Sequence, residues 1–126
     1  MTGTEVLQAA LRRLNYTDTS GEVDMQMNSD IARRALDAVN YVLADLRHVA
    51  GEEFAALGGL GETVPLSDDV CVRIMPWGVA MLIAGSESDA DAQAVMAQTY
   101  NRLRNSFPRR PGHVRDVMPK GLGNRS

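Results

Sequence analysis

The run from Leu66 to Ala84, LSDDVCVRIMPWGVAMLIA, is the most apolar in the chain and carries a proline near its middle. A bilayer-spanning helix needs about 20 uninterrupted apolar residues. This run is interrupted by Asp68, Asp69, Arg73 and Pro76, so it is expected inside a protein core. Its grammar is that of two helices meeting at a corner. Ser67 is a good N-cap, Asp68 and Asp69 suit the positive end of a helix, and Val70, Cys71 and Ile74 follow at helical spacing. Pro76 clashes with the carbonyl four residues back and has no N–H to donate, so the first helix stops there. The same residue is well suited to open a second helix, from Trp77 through Ile83. WGVAMLIA has no polar face, and a helix that is apolar all round is one surrounded by other elements. The spacing predicts a central helix with Trp77, Val79, Leu82 and Ile83 largely buried.

The flanking segments read as its partners. Thr2 and Glu5 have the form of a capping box, after which Val6, Leu7, Ala10, Leu11 and Leu14 share one helix face, with Arg12 and Arg13 off it. NYTDTSGE, from Asn15 to Glu22, is a polar loop rich in turn formers. Asn28 or Ser29 can cap the next helix, the longest, at roughly 20 residues. Its expected buried face is Ile31, Ala35, Leu36, Val39, Val42, Leu43 and Leu46; Tyr41 and the pair Arg33 and Arg34 lie on its flanks. Gly51 is placed to end it. Phe54 and Leu57 are expected to anchor the loop that follows, GGLGETVP. The last helix starts near Ser88 or Asp89 and runs to about Phe107, burying Ala92, Val95, Met96, Thr99, Tyr100 and Leu103. Only ETVPL and HVRDVM could form short strands. The expected fold is all-α, a compact bundle of about five helices over residues 1–107 with an extended basic C-terminal arm over residues 108–126.

Charge separates these two parts. From Pro108 to Ser126 five basic residues face the single acid Asp116, a net +4, so with −3 overall the rest of the chain carries −7. The arm has three prolines, three glycines and no helical period that would build a core. Yet Phe107, Val114, Val117, Met118 and Leu122 are set among Arg109, Arg110 and Arg115, and a purely solvating tail has no need of them. Such a segment can order on a partner, or bind nucleic acid through its arginines.

Catalytic constellations are missing from the sequence. The two histidines, His48 and His113, belong to no HExxH, and there is no GxSxG or GxxxxGK[ST]. GGLG, Gly58 to Gly61, follows no parallel strand and lacks the phosphate-loop lysine, so it reads as a plain loop. Asp68 and Asp69 read as helix-start charges, Cys71 as a buried small side chain and Trp77 as a core filler. One cysteine permits no internal disulfide and has no metal-ligand companions. With no signal-peptide pattern either, the chain is expected in a cytoplasm, with no enzymatic activity, no cofactor, no metal and no membrane.

The order of features, LRRLNY, ALDAVNYVLADL, LSDDVCVRIMPWGVAMLIAGSESD and AQTYNRLRNSF, resembles the small head-to-tail connector (adaptor) proteins of tailed bacteriophages and prophages. The resemblance spans most of Thr2 to Phe107, most closely at Met75 to Ala84 and at Tyr100 to Arg104. It implies a structural protein assembled in the host cytoplasm and housed in the virion neck. Such adaptors form a ring, ordinarily twelve-fold, that sits below the portal protein, continues the DNA channel without specific DNA binding, and offers a surface to the next neck or tail completion protein. It also implies that Phe107, Arg109, Arg110, Val114, Arg115, Val117 and Met118 face the portal or a neighbouring subunit. The alternative is a small helical DNA-binding or regulatory protein using its basic tail with Arg33 and Arg34, against which the acidic body counts.

Overall fold

In a computed structural model the chain is described over residues 1–15, 29–53 and 55–107, with the backbone alone for 29–33. The described residues form five α-helices: α1 (Gly3–Arg13), α2 (Ser29–Ala50), α3 (Asp68–Arg73), α4 (Met75–Ser86) and α5 (Ala90–Asn105). The all-α expectation holds. Of the two candidate strands, ETVPL contributes one isolated antiparallel bridge, Thr2 to Thr63, and HVRDVM lies outside the described residues, as do Asn15–Glu22 beyond Asn15, Asn28 and Phe54.

Several of the helix ends have local causes. At α1 the Thr2 hydroxyl accepts from the Glu5 N–H at 3.2 Å while the Thr2 N–H donates to the Glu5 carboxylate at 2.9 Å, the reciprocal capping box. Gly51, at φ 76°, turns the chain out of α2 in the left-handed conformation that glycine adopts without strain. Ser67 caps α3, and the Asp89 carboxylate accepts from the Ala92 N–H at 3.1 Å to cap α5. The corner between α3 and α4 falls at Ile74, with Pro76 in the first turn of α4 where a missing N–H costs nothing.

α4 touches all four other helices and is the hub of the bundle. Val6, Leu7, Ala10 and Leu11 of α1, Val39, Val42, Leu43 and Leu46 of α2, and Met75, Val79 and Ala80 of α4 are fully enclosed. By area, burying each of the valine, leucine and methionine side chains is worth about 1.5–3 kcal/mol. By length and composition Asp68–Ser86 resembles a membrane span, but half of it is buried and it bends at Ile74, so its apolarity is used in packing. Loop 52–66 closes the base. Asn40 donates to the Leu57 carbonyl at 3.1 Å and accepts from the Leu57 N–H at 2.8 Å, Arg47 donates to the carbonyls of Glu53 and Pro65, and the buried Leu57 anchors the loop as expected.

Val79 and Ile83 are buried, and Trp77 and Leu82 are partly buried against the same core, as expected of the central helix. Two expectations need correction. Val95 is 57% exposed, since α5 packs on a narrow stripe centred on Met96 and Tyr100 and leaves the edge of its apolar face in solvent. Arg13, expected to stand off the core, instead folds over the Trp77 ring with its guanidinium 4.8 Å from the centroid.

Candidate functional site

Between α2 and α4 lies an open groove of about 320 Å³. From α2 it is lined by Arg34, Asp37, Ala38 and Tyr41, at i, i+3, i+4 and i+7, which is one ridge of the helix. From α4 it is lined by Leu82, Ile83 and Ser86. Tyr41 stands at its wall, 62% exposed. Arg34 reaches across the groove's end to Glu87 at 3.3 Å, an exposed pair worth little to stability.

The groove has the chemistry of a binding surface. The Ser86 hydroxyl donates to its own helix at the Ile83 carbonyl, 2.8 Å away. Its polar lining is Arg34, Asp37, Tyr41 and Ser86. Among the described residues no three His, Cys, Asp or Glu side chains are grouped so as to hold a metal ion. Cys71 is enclosed, and burial pushes its thiol above the ordinary range.

One turn along α2 from Tyr41, a polar cluster joins α2 to α5. Arg104 grips Asp45 with two hydrogen bonds, from Nε at 2.6 Å and Nη2 at 3.0 Å, and the Tyr100 hydroxyl donates to the same carboxylate at 2.7 Å. Burial alone would raise the Asp45 carboxyl, but the hydrogen bonds from Arg104 and Tyr100 hold it below the usual range. Burial, then the bond to Asp45, pushes the Tyr100 hydroxyl well above its ordinary value. The shared carboxylate fixes the last turns of α5, and therefore the point at which the basic segment begins.

Of the residues expected at a portal or subunit interface, Phe107 is described: it is 9% exposed and part of the core. Its ring packs into the core of the body at the root of the basic segment. Arg109, Arg110, Val114, Arg115, Val117 and Met118 lie outside the described residues. Sequence reasoning placed Tyr41 on a flank and Leu82 in the central helix, and passed over Asp37. The one available signal was the ridge spacing of Arg34, Asp37, Ala38 and Tyr41, with an aromatic on the solvent side of a long helix. No family model, curated protein or solved structure matches the chain.

Proposed function

We propose that this chain is a non-enzymatic structural protein of a tailed-phage neck, a head-to-tail connector that joins the portal of the head to the next neck or tail component and continues the DNA channel. The observation that carries this reading is the way two oppositely charged parts are joined. A helical body of net −7 ends at Phe107, whose ring is held in the core, and a segment of net +4 begins at the next residue. A subunit that must hold its place in a ring needs a rigid body and an attachment segment with a fixed root. Asp45, Tyr100 and Arg104 supply the fixing. The strings that carry the resemblance coincide with structural centres: MPWGVAMLIA supplies most of α4, and YNRLR supplies two members of the Asp45 cluster. An acidic body also suits a conduit, because negative walls repel phosphate and do not trap a passing duplex. The groove, mostly apolar, fits protein contact better than chemistry.

The test is the mass of the full chain by analytical ultracentrifugation, alone and with candidate portal proteins. A ring-sized species with the portal is expected, and deleting Pro108–Ser126 should abolish it while leaving the helical circular dichroism of the body in place. A chain that stays monomeric with every portal, but binds duplex DNA with a steep salt dependence, would overturn the connector reading in favour of a DNA-binding protein.

A further inference from the structure

We infer that α5 is an exchangeable element: the turn at Glu87–Asp89 straightens so that α4 and α5 run on as one helix, and α5 then seats on the body of a second copy of this chain while that copy's α5 seats in return. The inference does not depend on the connector reading.

The turn is a Schellman motif with serine where glycine is the rule. The Ser88 N–H donates to the Gly85 carbonyl at 3.2 Å and the Asp89 N–H to the Ala84 carbonyl at 2.9 Å. That pattern holds Ser88 in the left-handed region, at φ 60°, where a side chain is strained. At the end of α2 the same task falls to Gly51, at φ 76°. Ser88 is relieved by taking the helical conformation of its neighbours, and from Ser86 to Phe107 no glycine or proline interrupts a helix. Straightened, Met75 to Asn105 becomes one helix of about 46 Å, and α5 is carried off its own α4. Short connections under strain are those through which identical elements exchange between copies.

What α5 leaves is narrow, and a second copy supplies it again. α5 packs chiefly on α4, burying Met96 and Tyr100, with the Tyr100 ring against Gly78. Its polar tie to α2 is the Asp45 carboxylate, held by Tyr100 and Arg104. Gly78 and Asp45 both precede the turn, so a second body presents the same seat and the exchange is reciprocal. The contacts of α5 are kept and two strained serines are relieved, against the freedom lost when two bodies join, so the exchanged form gains with concentration.

Full chains test it by exchanging charges. Asp45→Arg in a tagged chain sets two arginines together, and Arg104→Asp in an untagged chain sets two aspartates together, whether each closes on itself or pairs with its like. Exchange between the unlike chains restores an opposite pair at both seats. Refolded together from urea, they are expected to give a tag-captured mixed species about tenfold above that of either variant refolded with its own kind. A mixed yield no greater than the like yields would overturn the inference. Adding Ser88→Gly to both chains should lower the mixed yield severalfold, because glycine is at ease in the turn and poor in a helix. A yield that this change leaves untouched would also overturn it, since charge attraction without exchange ignores the turn. If either charge variant does not fold, the otherwise unaltered chain carries the test. In sedimentation, Ser88→Ala should raise the two-copy share about tenfold over Ser88→Gly, and equal shares would sink the inference.

Discussion

The two halves of α4 have the same apolar composition and very different surroundings. In the first half Met75, Gly78, Val79 and Ala80 are buried, and Gly78 is approached so closely that an added Cβ would lie 2.8 Å from the Tyr100 ring and 2.9 Å from Val42. In the second half Leu82 is half-buried on the groove, and the three atoms nearest a Cβ on Gly85 belong to the side chain of the exposed Gln93. Apolarity drove both halves out of water, but it does not say which neighbour covers them. Coverage of the first half is set by a ring that cannot move, since Tyr100 is tied to Asp45, which also holds Arg104. At the second half the described tie is the exposed Arg34–Glu87 pair, and the groove opens there.

The contrast can be broken at four places. The largest effect is expected from Met75→Ala, a fully buried side chain: about 2–5 kcal/mol in a urea melt, against roughly 1 kcal/mol for Leu82→Ala on the half-open side. Equal losses at the two sites would mean that the halves are equally enclosed.

Asp45→Asn should cost about 1–3 kcal/mol, because it leaves Arg104 without a charged acceptor on a partly buried surface. The same change has a pH signature. Since the Asp45 carboxyl is held below its unfolded value, its contribution is fully present above the ordinary aspartate range, about 3.9, and is lost as the pH falls through the lower folded value. Melting temperatures of the two proteins should therefore converge in acid and diverge toward neutral pH. A constant difference across that range would remove the charge from the explanation.

Gly78→Ala should cost about 1–2 kcal/mol even though alanine gains roughly 1 kcal/mol of helix propensity, because the rings and methyls around it have no room to retreat. Gly85→Ala sharpens the comparison with the smallest effect: Gln93 swings aside, and the propensity gain of up to about 1 kcal/mol appears as stabilisation. Destabilisation at Gly85 would place a rigid wall where the structure has a movable one.

Local features were the legible ones. The Thr2–Glu5 box, the Ser67 and Asp89 caps, the stop at Gly51 and the corner at Pro76 are all interactions within a few residues, and each could be read from spacing. Tyr100 was legible as a buried position and Arg104 only as a basic residue near a helix end. Their partner Asp45, 55 and 59 residues away, was not legible as a partner. A helical period shows which face turns inward and is silent on what waits there. Val95 was misplaced for a related reason: the width of a buried stripe depends on how many helices share it, and α5 packs chiefly on α4. The groove escaped notice because Leu82 belongs to a segment apolar all round, in which no residue type marks the side left open.

The stacking of Arg13 on Trp77 has a practical consequence. Trp77 is the only tryptophan in the chain, and the guanidinium over its ring arrives from the last turn of α1. Its indole emission is thus a native optical gauge of whether α1 is seated on α4, readable in stopped flow or during assembly without any attached dye. Arg13→Ala would supply the spectrum of the unstacked ring, against which every other trace can be calibrated.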